Sequence, residues 1–123
     1  MKLSDKITKL RKVNGWSQED LAEKLNLKVL TPYDEDRDVT GCYSGDLLSW
    51  VMSRAKEGDV WLTVMGNINA VAVAVLTDCA CIVLTENASL DEQAKQKAQM
   101  QGVCFLQSEK NAYELAVEIS KLI

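Results

Sequence analysis

The sequence predicts an α/β fold, a layered sandwich with a mainly parallel sheet flanked by helices. Three observations carry this reading. From Thr40 onward, strand-like and helix-like blocks alternate with short connections, and such alternation implies right-handed crossovers and a parallel sheet covered on both faces. The strand blocks "DVWLTVM" and "CACIVLT" are rich in apolar residues, the second a nearly continuous apolar run of the kind that fills strands buried on both faces. A chain of 123 residues is long enough for one domain with a substantial core.

Taken in order, Met1 to Lys12 places Leu3, Ile7 and Leu10 at the i, i+4, i+7 spacing of one helix face. Asn14-Gly15 can stop that helix. Ser17, with Asp20 three residues on, reads as the N-cap of a second helix whose buried stripe is Leu21, Ala22 and Leu25. "LKVLT" is a short strand ended by Pro32, its direction open. "LLSWVMSRA" puts Leu47, Leu48, Val51, Met52 and Ala55 on one helical face and stops at Lys56-Glu57-Gly58-Asp59.

"DVWLTVM" is a strand closed by Gly66. "NINAVAVAVLTD" alternates Ala and Val as a strand does, but its length and the order of its neighbours favour a buried helix. "CACIVLT" is a buried strand. Ser89 is expected to cap the mostly polar helix "LDEQAKQKAQMQ", which Gly102 terminates. "VCFLQ" is the last strand, and in the final helix "NAYELAVEISKLI" the residues expected toward the core are Tyr113 or Ala112, Ala116, Val117, Ser120 and Leu122 to Ile123.

An apolar fraction of 47% and a charged fraction of 26% are those of an ordinary globular protein and argue against disorder. The net charge of -4 is uneven, with six Lys/Arg against four acids up to residue 26 and eight against fourteen beyond it. An acidic body makes nucleic acid and anionic membrane poor partners. No secretory signal or membrane-spanning run is evident, so a cytoplasmic location is expected. The cysteines, Cys42, Cys79, Cys81 and Cys104, sit mostly in apolar runs, as reduced buried thiols do.

The segment "LRKVNGWSQEDLAEKL" resembles the opening of a phage-repressor helix-turn-helix, which would make the chain a DNA-binding regulator. A recognition helix should then follow. Instead come a strand and Asp34, Glu35, Asp36 and Asp38 around Arg37, a charge pattern that phosphate repels.

From about Asp20 to Ile123 the chain resembles the DRTGG domain, the module at the N-terminus of HPr kinase/phosphatases and inside some regulatory pyrophosphatases and phosphotransacetylases. The residues that carry the resemblance are "LAEKLNLKVLT", "DRDVTGCYSGDLLSWVM", "AKEGDVWLTV" and "AVAVAVLTDCACIVLTE". Val39, Thr40 and Gly41 match the family's Val-Thr-Gly-Gly; Cys42 replaces its second glycine, and Gly45 precedes Asp46 where a serine is common. The resemblance implies a fold like the HPr kinase N-terminal domain and a regulatory or protein-interaction role. It divides the chain into a helical prefix, 1–16, and a DRTGG-like domain, 17–123. No Walker-type glycine-rich sequence is present, so kinase activity is not implied.

"TGCYSGD" could cradle a phosphate on its amides, or be a turn whose Asp46 caps the next helix. If a ligand binds, the candidates are Arg37, Thr40 and Gly41, with Asn67, Thr85 and Ser108 at strand exits, where open parallel sheets usually bind ligands. The ligand would be a nucleotide or phosphate. Arg37 could otherwise tie down Asp34, Asp36 or a helix end. Cys79 and Cys81 would share one strand face, but a chain without histidine offers few further metal ligands or general bases, so no metal, cofactor or catalytic role is assigned. Trp50 is the candidate contact of a homodimer. Function therefore reads as a non-enzymatic regulatory or interaction module, with a small-molecule sensor and a DNA-binding regulator as alternatives.

Overall fold

The computed structural model describes residues 16–32 and 37–123. The helix expected over Met1 to Lys12, and Asp34, Glu35 and Asp36, lie outside the described residues. The elements are β1 (Trp16–Ser17), α1 (Gln18–Lys24), β2 (Lys28–Thr31), β3 (Asp38–Val39), β4 (Gly41–Ser44), α2 (Leu48–Arg54), β5 (Asp59–Thr63), α3 (Ile68–Thr77), β6 (Cys81–Leu84), α4 (Glu92–Gln101), β7 (Phe105–Gln107) and α5 (Ala112–Leu122).

A five-stranded sheet runs in the spatial order β2-β7-β6-β5-β4. β4 to β7 are mutually parallel, while β2 is antiparallel to β7, which fixes the direction of the first strand of "LKVLT". Each step from β4 to β7 moves to the adjacent position in the same sense, so right-handed crossovers bring α2, α3 and α4 to one face. The alternation of side chains along the strands confirms two layers. Trp61, Ile82, Leu84 and Phe105 pack with Val51, Ala70 and Ala94 on that face. Val60, Leu62, Val83 and Leu106 pack on the other face with Leu21 of α1 and Leu115 and Ile119 of α5. Both faces are dry, as the apolar strand runs require.

Local chemistry sets the helix starts. Ser17 Oγ accepts from Asp20 N at 3.1 Å, and the Asp20 carboxylate accepts from Ser17 N at 3.3 Å, a reciprocal cap worth about 1 kcal/mol. Asn111 caps α5 in the same reciprocal way, accepting from Glu114 N at 2.9 Å, and Asn67 caps α3 one-way, accepting from Ala70 N at 3.1 Å. At the β2 edge the ladder slips between Val29 and Thr31. There the buried Thr31 hydroxyl donates to Val103 O and accepts from Phe105 N, both at 2.8 Å, replacing backbone rungs that the bulge removes.

Several expectations are corrected. Gly41–Ser44, read as a turn, is strand β4, because pairing with β5 supplies what Gly, Cys and Ser lack in intrinsic strand preference. Ser89 does not cap α4: the helix starts after Asp91, whose N–H donates to Gly66 O at 2.8 Å and so holds the loop extended up to that point. In α5 Ala112, Ala116 and Leu122 pack against the core as expected, but the buried residues are Leu115 and Ile119, while Tyr113 is 77% exposed and Val117 and Ser120 are exposed. Apolar residues lie on both sides of this helix, and the pair at i, i+4 with the larger aliphatic groups takes the core. Cys79 precedes β6 and packs in a different cluster from Cys81, so the two do not share a face. Finally, α1 is part of the core and leads into β2, not into a recognition helix.

Candidate functional site

The edge of the sheet where β4, β5 and β6 begin holds the motif residues. Arg37 is built into this edge by its backbone: its N–H donates to Gln18 Oε1 at 3.1 Å, and its carbonyl accepts from Gln18 N at 2.9 Å. The amide of the buried Gln18 donates to Ala80 O at the start of β6. The Arg37 guanidinium donates to Cys79 O at 3.0 Å and Asp78 O at 3.1 Å and pairs with the Asp78 carboxylate at 2.8 Å. Asp78 ends α3 in the left-handed conformation, and a cation there offsets the partial negative charge of the last carbonyls. Of the roles expected for Arg37, tying down a helix end is the one these contacts describe.

Thr40 and Gly41 lie against the turn that starts β5. Thr40 N donates to Gly58 O at 2.9 Å. Gly58 has φ +84, and a Cβ on it would overlap the Thr40 hydroxyl, so both backbone shape and space call for glycine. A Cβ on Gly41 would overlap the carboxylate of Asp59. That carboxylate is buried and accepts from Lys56 N at 2.8 Å, which closes the turn. Shallow cavities of about 380 and 350 Å³ open beside Thr40, and both have linings of mixed charge: Arg37 with Asp38 and Glu57 in the first, Arg54 and Lys56 with Glu57 and Asp59 in the second. Nor does Asp46 cap α2. Its carboxylate crosses to the end of β5 and accepts from the Thr63 hydroxyl at 2.7 Å and Val64 N at 3.0 Å, leaving Leu47 as an N-cap without a side-chain bond.

Asn67, Thr85 and Ser108 lie at the opposite edge, where the parallel strands end. The six candidate ligand residues therefore do not form one site. Asn67 is spent on capping α3, Thr85 is buried, and Ser108 Oγ accepts from Lys110 N at 3.1 Å. Because the parallel strands run in unbroken order, this edge has no reversal point of the kind that opens a crevice in doubly wound sheets. The opening lies instead where antiparallel β2 begins beside the end of β7. It is a cavity of about 400 Å³ lined by Leu25, Asn26, Lys28, Asn87, Ser108 and Lys110, among others. Sequence reasoning found only Ser108 of this group; Asn-Leu-Lys after α1 and Glu-Asn after β6 carry no local signal that they meet.

All four thiols are free. Burial, and secondarily the Asp59 carboxylate, push the Cys42 thiol up to about 11, although the residue as a whole is exposed. Burial pushes Cys79 to about 11 and Cys81 well above the ordinary thiol range. Thiols so raised stay protonated near neutrality and are poor nucleophiles. Among the described residues no group of three or more His, Cys, Asp or Glu is placed to hold a metal ion, and no helix is long and apolar enough to cross a membrane. Trp50 on α2 is 54% exposed, with the Arg54 guanidinium 4.0 Å above its ring.

This architecture, a mainly parallel α/β sandwich with its Thr-Gly strand locked to the next turn, defines a class of small non-Walker domain. The DRTGG domain model matches residues 20–122, and the chain belongs to the DRTGG domain family. No curated protein matches it. Among solved structures it is similar to the CBS and DRTGG domains of the regulatory region of a Clostridium perfringens pyrophosphatase, complexed with its activator diadenosine tetraphosphate. The TM-score is 0.69 at 9% identity, over 92% of this chain and 48% of that one, so the match shows the fold and this chain spans about half of its length.

Arg37→Ala is expected to lower unfolding stability by about 1–2 kcal/mol, a charge-assisted hydrogen-bond value reduced because the pair with Asp78 is partly exposed. Arg37→Lys should recover only part of it, since an ammonium cannot fork between two carbonyls. Urea unfolding checks both; an Arg37→Ala variant as stable as the parent would contradict the clamp.

Proposed function

We propose that this chain is a non-catalytic, cytoplasmic regulatory module that responds to a nucleotide or phosphate and works as a homodimer or docked to a partner in a larger assembly. The observation that carries the reading is the commitment of the motif to packing. Arg37, Thr40 and Gly41 hold β4, β5 and the end of α3 together, so the motif supports the domain and is not a reacting centre. The absence of histidine from the sequence and the raised thiols support the non-catalytic part. Membership of the family, and likeness to a regulatory region crystallised with a nucleotide activator, support the regulatory part. The helix-turn-helix alternative loses its second helix to the α/β core.

Residues 1–16 were expected to be a prefix and 17–123 the domain; since Trp16 pairs with Val39, the separable part is proposed to end before Trp16. Trp50 on α2 is exposed, with exposed Leu47 one turn before it, and Trp50 is proposed as the centre of the homodimer contact. Light scattering should give a particle of about twice 13.7 kDa, reduced to a monomer by Trp50→Glu with unchanged circular dichroism. A monomeric parent chain would rule the dimer out. For the ligand, a panel of nucleotides and phosphates should contain at least one that raises the melting temperature steadily with concentration, by the equivalent of about 2.7 kcal/mol at a hundred times its Kd. A panel without any such compound would remove the sensor reading.

A further inference from the structure

The loops that border the 400 Å³ cavity at the C-terminal edge are held in an uncommon shape. Glu86 and Asn87 are consecutive non-glycine residues in the left-handed region, at φ 54 and 59, and Asn26 across the cavity is a third at φ 55. A glutamate in that region costs roughly 1–2 kcal/mol, so the surrounding contacts must impose it. They do: Glu86 N donates to Lys110 O at 2.9 Å and Asn87 N to Ser108 O at 2.8 Å, locking the β6 exit loop onto the β7 exit loop. Gln107 Nε2 adds a bond to Ala88 O at 2.9 Å, and Lys110 Nζ is pinned to Glu118 at 2.5 Å. The cavity is thus a fixed cleft between cross-tied loops, which is what tight binding of a small polar molecule needs.

From the side chains that line it, we infer that this cleft is a binding site for a nucleoside phosphate. This inference rests on the sensor reading above and gives it a location. The carboxamides of Asn26 and Asn87 each offer a donor and an acceptor side by side, the pattern that matches a nucleobase edge. Lys28 brings an ammonium group for a phosphate, Lys110 being engaged by Glu118, and Glu109 supplies an acceptor for ribose hydroxyls. A volume of about 400 Å³ falls in the range of small-molecule sites. With Lys110 held by Glu118 and Glu109 in the lining, the cleft carries little net positive charge and suits a monophosphate better than a polyphosphate chain. The shallow cavities at the motif edge lie at the opposite end of the parallel strands and are not part of it.

Isothermal titration of the full chain with AMP, GMP, adenosine and inorganic phosphate tests the site. Two substitutions remove recognition groups without disturbing the fold: Asn87→Gly, because glycine adopts φ 59 freely, and Lys28→Gln at an exposed position. Lys56→Gln, at the opposite edge, is the control. A nucleoside monophosphate is expected to bind more tightly than either adenosine or phosphate. Each cleft variant should weaken it about tenfold, and Lys56→Gln should leave it unchanged. Nucleotide binding undiminished by Asn87→Gly and Lys28→Gln overturns the location while the sensor reading stands. Inorganic phosphate binding as tightly as the nucleotides overturns the nucleoside assignment. No binding of any of the four compounds overturns the cleft and counts against the sensor reading with it.

Discussion

The close approach of Thr40-Gly41 to Gly58-Asp59 is the contact on which the arrangement of the sheet turns. β4 is an edge strand of four residues with little intrinsic strand preference. It stays beside β5 because two glycines remove the side chains that would hold the backbones apart. One buried carboxylate, Asp59, then fills the space at Gly41 and closes the turn at Lys56. The same segment is tied onward: Ala80 N donates to Asp59 O at 2.8 Å and Gly58 N to Asp78 O at 3.1 Å, so the starts of β5 and β6 share one network. Arg37 and Gln18 extend it to β1 and β3. The family motif meets, in this sense, a set of short-range spatial requirements.

The two edges of the sheet therefore divide the labour. At the edge where the strands begin, polar groups are consumed by one another, and acids and cations together line the shallow cavities that remain. At the edge where they end, cross-tied loops hold Asn26 and Asn87 in the left-handed region around an open cleft. Local strain is kept where the surrounding bonds can impose it, and such places are where ligand clamps are found. β2 is decisive for this asymmetry. By running antiparallel to β7 it brings Lys28 to the edge where the parallel strands end, with no crossover helix to cover the gap.

The parts of the fold legible in the sequence were those written in local pattern: the apolar runs of β5 and β6, the cap at Ser17, and the left-handed stop at Gly102. Those that were not depend on partners distant in sequence. β1, β3 and β4 exist through pairing, and nothing within Gly-Cys-Tyr-Ser announces it. Gln18 reads as a helix-start polar residue, but its amide bridges to Ala80, 62 residues away. In α5 the hydrophobic pattern admits two phases, and only the sheet beneath selects Leu115 and Ile119. The candidate site was legible at one residue, Ser108, because the other members come from the ends of α1, β6 and β7, and sequence gives no hint that these ends converge.

A double-mutant cycle between Gly41 and Asp59, followed by urea unfolding, tests the structural account of the motif most directly. In the parent chain Gly41→Ala forces a methyl against the Asp59 carboxylate and is predicted to cost about 1–3 kcal/mol. In an Asp59→Ala background the space is free, and the same substitution should cost far less, giving a coupling of about 1 kcal/mol or more. Additive effects, with coupling below about 0.3 kcal/mol, would contradict the claim that Gly41 is there to admit Asp59.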